Sequence, residues 1–168
     1  ALLAPYSDQP ENSGLLFNTN QQLTDMIAKG LSKGYQMNVH AIGDKANSQV
    51  LDSFEAAYKL QGGKNLRNRI EHAQVVNAND FAMFGRYNII PSVQPTHGTS
   101  DMYWAEKRLG ATRVKGAYAF KDLLNENGWL PLGTDFPVED IDPIKTFYAA
   151  VFRRDAKGLP AGGFQMEN

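Results

Sequence analysis

Cysteine is absent from these 168 residues, which excludes disulfides, thiolate zinc ribbons and thiol nucleophiles. Positive charge is not in surplus: 17 Lys and Arg stand against 18 Asp and Glu, for a net charge of −1 and a pI of about 6.3. Nothing here makes the basic field that holds a phosphate backbone, so nucleic acid is not an expected partner. No apolar run approaches the ~20 residues that cross a bilayer, and residues 1–20 lack the basic start and apolar centre of a signal peptide. The expectation is a soluble protein without a membrane partner, its compartment open but the cytoplasm favoured over export. Histidine is scarce, with three isolated copies, His40, His72 and His97.

What is present is enough for one core. With 42% hydrophobic and 21% charged residues, charge spread along the chain and no repeat or flexible linker, residues 1–168 read as a single domain. The chain opens at Ala1-Leu2-Leu3 without methionine and closes at Gln165-Met166-Glu167-Asn168, which suggests a piece of a longer protein.

Residues 1–19 are rich in Pro, Ser, Asp, Asn and Gly and read as a loop. Leu23, Ile27 and Leu31 then recur at helical spacing, from a cap at Thr19 or Asn20 to a stop at Gly34. Tyr35–His40 reads as a strand with Asn38 and His40 on one face, and Asp44 as the cap of a helix over 45–60. The pattern returns with a strand at Arg69–Ala73, a helix from Asn77–Asp80 to Gly85, and a strand at Tyr87–Val93. A long connection follows from Gln94 to about Ala111, then a helix over Tyr118–Asn127 with Phe120, Leu123 and Leu124 inward. A fourth strand at Trp129–Gly133 and a helix opened by Asp142-Pro143 complete the series. Strand and helix alternate without a hairpin signal, so the expected class is α/β: four parallel units, half of a (β/α)8 barrel.

His40, His72 and Asp135 share one address, at or just past the carboxyl end of a strand, where barrels of this kind place their active sites. Neutral imidazole donates a lone pair without adding charge, and a carboxylate both lowers the net charge and handles protons, so the three suit a divalent metal. A lone histidine at a strand end is more often a hydrogen-bonded structural residue, and spacing alone does not decide between the two. Glu71, by alternation, should point away from His72 toward the helices and pair there with Lys or Arg.

Five stretches, in this order, carry a resemblance: Val39-His40-Ala41-Ile42-Gly43-Asp44, Arg69-Ile70-Glu71-His72-Ala73-Gln74, Pro91-Ser92-Val93-Gln94-Pro95-Thr96-His97, Asp101-Met102-Tyr103-Trp104 and Leu132-Gly133-Thr134-Asp135-Phe136-Pro137-Val138-Glu139. Together they resemble the metal-dependent amidohydrolases, in the amidohydrolase family 3 branch, from the first loop to about Arg154. The resemblance implies that His40 and His72 bind metal, most simply zinc, after the fifth and sixth strands of an intact barrel. It implies that Asp135, after the eighth, is both ligand and proton shuttle. His97, with Gln94 and Asp101, would face substrate. The family's His-x-His pair after strand one and its bridging ligand after strand four have no counterpart here.

Two expectations follow. In the intact parent, metal-activated water hydrolyses the carbon–nitrogen bond of a small non-peptide amide, and the isolated segment, lacking the amino-terminal half of the barrel, is inactive. Alternatively the segment is a catalytically silent half-barrel whose exposed edges pair with another copy.

Overall fold

The computed structural model describes residues 1–167. Three short strands, β1 (Asn38–Ala41), β2 (Arg69–His72) and β3 (Ile90–Ser92), form a parallel sheet in that order, with His40 opposite Glu71 and Glu71 opposite Ser92. The fourth expected strand is reduced to one parallel bridge, Val93 with Leu132: Val93 N–H donates to Pro131 O at 3.1 Å and Gly133 N–H to Val93 O at 2.9 Å. Pro131 has no N–H, so the ladder cannot extend through it.

Among the described residues seven α-helices connect and cover these strands: α1 (Asn20–Leu31), α2 (Asp44–Gln61), α3 (Phe81–Tyr87), α4 (Pro95–Asp101), α5 (Ala105–Arg113), α6 (Phe120–Asn127) and α7 (Pro143–Phe152). At the start of α1 the Thr19 hydroxyl accepts from Gln22 N at 3.2 Å while the Gln22 side chain accepts from Thr19 N at 2.8 Å. Such a reciprocal cap stabilises a helix by about 1 kcal/mol. Leu23, Ile27 and Leu31 then form the buried stripe that their spacing predicts. Helix α2 departs from expectation at its first residue, since Gly43 caps it and Asp44 lies within the first turn. Gly43 leaves no room for a Cβ against the Ala1 carbonyl, and Asp44 Oδ1 accepts from Leu3 N at 2.8 Å. The first loop is thereby pinned onto the head of α2.

The stretch Gln94–Ala111, expected as a connection, holds α4 and most of α5. Its buried positions include Pro95, His97, Gly98 and Thr99, so α4 carries no apolar stripe to betray it. Gly110, at φ 78°, interrupts α5.

The helices lie on one face of the sheet. Ile27, Leu51, Phe54, Ile70, Phe84, Ile89 and Leu123 are almost wholly enclosed there, each contributing on the order of 1.5–3 kcal/mol of burial. The opposite face is covered over β3, where Ile90 and Ser92 are buried, and open toward β1, where Asn38 and His40 are exposed and Arg69 and Glu71 beside them half-buried. Alternation explains both faces as far as Glu71, which belongs with His40 and Ser92 on the open side rather than under the helices. Its ion-pair partner is Arg69 of its own strand at 3.6 Å, not a residue of a covering helix, and Ser92 Oγ donates to it at 2.6 Å.

Candidate metal centre

At the carboxyl rim of the sheet the backbone leaves ordinary strand geometry. His72 (φ 77°), Ala73 (φ 45°) and Asp135 (φ 55°) are left-handed residues other than glycine, a conformation that persists only where the surroundings impose it. The turn at His72 breaks alternation and swings its imidazole to the same side as His40. The two rings meet edge to face with centroids 4.4 Å apart, His40 exposed and His72 buried.

His97 is the third residue of α4, whose first turn is set by Pro95 after Gln94. Its ring stacks on that of His72 at 5.8 Å and 20°. His97 Nδ1 lies 3.1 Å from Glu139 Oε1, and His97 Nε2 lies 3.3 Å from Asp135 Oδ2. Ser100 Oγ donates to the same Glu139 oxygen at 2.6 Å and holds that carboxylate in place. His72, His97 and Asp135 each offer a ligand atom such that all lie within 4.8 Å of one another.

Three features define the chemistry of this cluster. His72 Nδ1 is buried without a hydrogen-bond partner, so its lone pair or proton is unsatisfied by the protein. Burial, and after it the neighbouring His40, pushes the His72 pKa down, against the pull of Asp135, which favours the neutral imidazole that a metal requires. The third feature concerns His97, which when neutral donates from one nitrogen only. With Nδ1–H given to Glu139, Nε2 and Asp135 Oδ2 face each other lone pair to lone pair, a juxtaposition that a proton or a cation resolves.

The structure thus brings His40, His72, His97 and Asp135 to one rim. Gln94 and Asp101, expected beside substrate, are engaged with partners within the protein. Gln94 is buried, its amide donating to Glu71 Oε1 at 3.2 Å and Ser92 O at 3.3 Å. Asp101 accepts from Tyr118 Oη at 2.6 Å and Gln74 Nε2 at 3.3 Å, and burial raises its pKa. Glu139 was given no role from sequence, and a carboxylate four residues beyond Asp135 was its available signal.

A parallel α/β sheet with imidazoles and a carboxylate collected at the carboxyl ends of its strands defines part of a (β/α)8 hydrolase barrel. The comparisons agree. Residues 1–168 match the amidohydrolase family along their whole length, and the chain belongs to that family. It is 41% identical over 149 residues to the LONG AFTER FAR-RED 3 protein of Arabidopsis thaliana, covering 88% of this chain and 26% of that one. It is 34% identical over 155 residues to YtcJ of Bacillus subtilis, an amidohydrolase by name, covering 92% of this chain and 29% of the relative. Among solved structures, a metal-dependent hydrolase from Pyrococcus horikoshii superposes with a TM-score of 0.79 at 39% identity, covering 90% of this chain and 30% of that one. A second from Pyrococcus furiosus gives 0.77 at 36%, with 89% and 30% covered. The chain therefore spans less than a third of the length of these relatives.

Proposed function

We propose that this chain is the part of a metal-dependent hydrolase barrel that supplies three or four ligands to a divalent cation, zinc foremost, and that the parent enzyme cleaves carbon–nitrogen bonds of non-peptide amides. The observation that carries this reading is the convergence of His72, His97 and Asp135 within 4.8 Å, with His40 against His72. The residues fit such an ion: the donor set mixes nitrogen and oxygen as zinc prefers, and the orphaned His72 Nδ1 is a lone pair or proton for which the protein supplies no partner.

When bound, the cation would supply Lewis acidity that lowers the pKa of water toward neutrality and polarises a carbonyl. The chain's own residues do the rest. Glu139, anchored by Ser100, fixes the ring of His97 and directs Nε2 at Asp135. Asp135, whose side chain is 38% exposed, is open to the reacting groups and accepts a proton at Oδ2, then returns it to the departing amine. That transfer contributes roughly 10²–10⁴-fold.

Calorimetric titration of the metal-free chain with zinc tests the assignment. One equivalent should bind, weakly for a structural site because part of the ligand set lies outside this chain, and His72→Ala should weaken it at least tenfold. Equal zinc affinity in the variant would sink the assignment. The competing reading, a half-barrel without catalytic purpose, predicts that equality.

A further inference from the structure

Beside the metal centre, and outside it, lies a cavity of about 420 Å³. Its wall is apolar: Leu2 and Leu16 from the first loop, Leu23 of α1, Ala46 and Val50 of α2, and Leu109 of α5. Among its polar side chains, which include Asn18, Gln49 and Tyr118, two bear on the strand rim. One is His40, whose ring also contacts His72, so the cavity begins where the imidazole cluster ends. The other is Gln74, two residues past His72. Its amide nitrogen donates to Tyr118 Oη at 3.1 Å and to Asp101 Oδ2 at 3.3 Å, which leaves its carbonyl oxygen as an acceptor. Arg108 is the permanently charged side chain in the wall, and its charge is already answered. Both Asp8 oxygens lie 3.2 Å from its Nη1, and its guanidinium sits 4.7 Å from the centre of the Tyr6 ring.

We infer that this cavity is the specificity pocket for the apolar part of an uncharged amide, whose carbonyl end lies at His72, His97 and Asp135 and whose N–H meets Gln74. The inference rests on the hydrolase reading and deepens it by naming the substrate class. Size limits the occupant. Taking the ~30 Å³ that a water claims in liquid as the unit, the space holds roughly a dozen non-hydrogen atoms. A helix of 10–12 Å diameter does not fit such a space, which excludes a docked helix. Charge limits it further, because a carboxylate-bearing substrate, such as an N-acyl amino acid with its acid directed inward, would meet no uncompensated side-chain cation, and burial pushes the pKa of the Ala1 amino group at the wall down. Small sites of this design owe affinity to apolar contact and orientation to a few polar groups.

The test uses the metal-free 168-residue chain, so that it does not depend on the metal centre. Methyl resonances are followed by NMR during titration with hexanamide, acetamide and hexanoate. The expected result is saturable shifts at the methyls of Leu16, Val50 and Leu109 with hexanamide, with affinity for acetamide and hexanoate lower by roughly tenfold or more, as apolar burial and an uncompensated charge demand. Ala46→Phe, which fills the cavity from the α2 side, should abolish the hexanamide shifts. Leu16→Ala, in a loop where truncation is tolerated, should weaken them severalfold. Zinc titration of Ala46→Phe should match the unaltered chain. Hexanoate binding as tightly as hexanamide, shifts confined to the open sheet face, or unaltered hexanamide binding by folded Ala46→Phe would each overturn the inference. Loss of zinc binding with the amide shifts intact would instead count against the metal centre alone.

Discussion

Glu139 contributes to the site without belonging to the cluster. Its carboxylate is the partner of His97 Nδ1 at 3.1 Å, and an imidazole anchored on one nitrogen presents the other in a fixed direction. Truncating it frees the ring and leaves Ser100 Oγ with only its longer bond to His97 O at 3.3 Å. Glu139→Ala should therefore lower zinc affinity by roughly 10–100-fold, measured by competition with a chelator, while the melting temperature moves little because Glu139 lies at the edge of the fold. Glu139→Gln, which keeps an acceptor oxygen, should fall between the two. This pairing was not legible in the sequence, since residues 97 and 139 are 42 positions apart and no periodicity links them. The strand-end position of His40, His72 and Asp135 was legible, because each closes a short extended run set between helical segments, which marks the rim of a parallel sheet. Glu71 was read onto the wrong face. Alternation placed it opposite His72, and the left-handed turn at His72, invisible in a string of letters, brings both to the open side.

At the scale of elements, α2 ties the rim together through Asn47. This residue is wholly buried, and its Nδ2 reaches the carbonyls of Ala41, Ile42, Gly43 and Val75 at 3.0–3.3 Å. One side chain thus links the end of β1 to the segment after β2, the two places from which His40 and His72 project. Asn47→Ala leaves buried acceptors unsatisfied, and a loss of about 1–3 kcal/mol is expected in denaturant unfolding. The His40 and His72 ring resonances should broaden as the rim loosens. Asn47→Asp should be no milder, since a carboxylate would face four carbonyl oxygens. The helices themselves were mostly readable. Caps at Thr19 and Asp142 and the stripe Leu23, Ile27, Leu31 stand where sequence rules put them. Helix α4 escaped those rules because what it buries is polar or small. Leu124, expected inward on α6, is exposed at 42%, and Leu123 alone of that pair is enclosed.

The whole molecule is one-sided. Helices cover one face of the sheet, the other is open toward β1, and α7 turns Ile144 (71% exposed) and Phe147 (62% exposed) to solvent. Apolar side chains grouped this way, together with the free edge of β1, favour association between copies. Light scattering should show mass rising with concentration, and Phe147→Asp with Ile144→Lys should restore a monomer with an unchanged unfolding midpoint. A monomer at all concentrations would refute that expectation.

The left-handed residues of the rim have a consequence for heredity as much as for chemistry. Holding His72, Ala73 and Asp135 in that conformation costs on the order of 1–3 kcal/mol each, and glycine would relieve it. A lineage chosen for heat resistance alone would drift toward glycine at 72 and 135 and give up its chemistry before its shape.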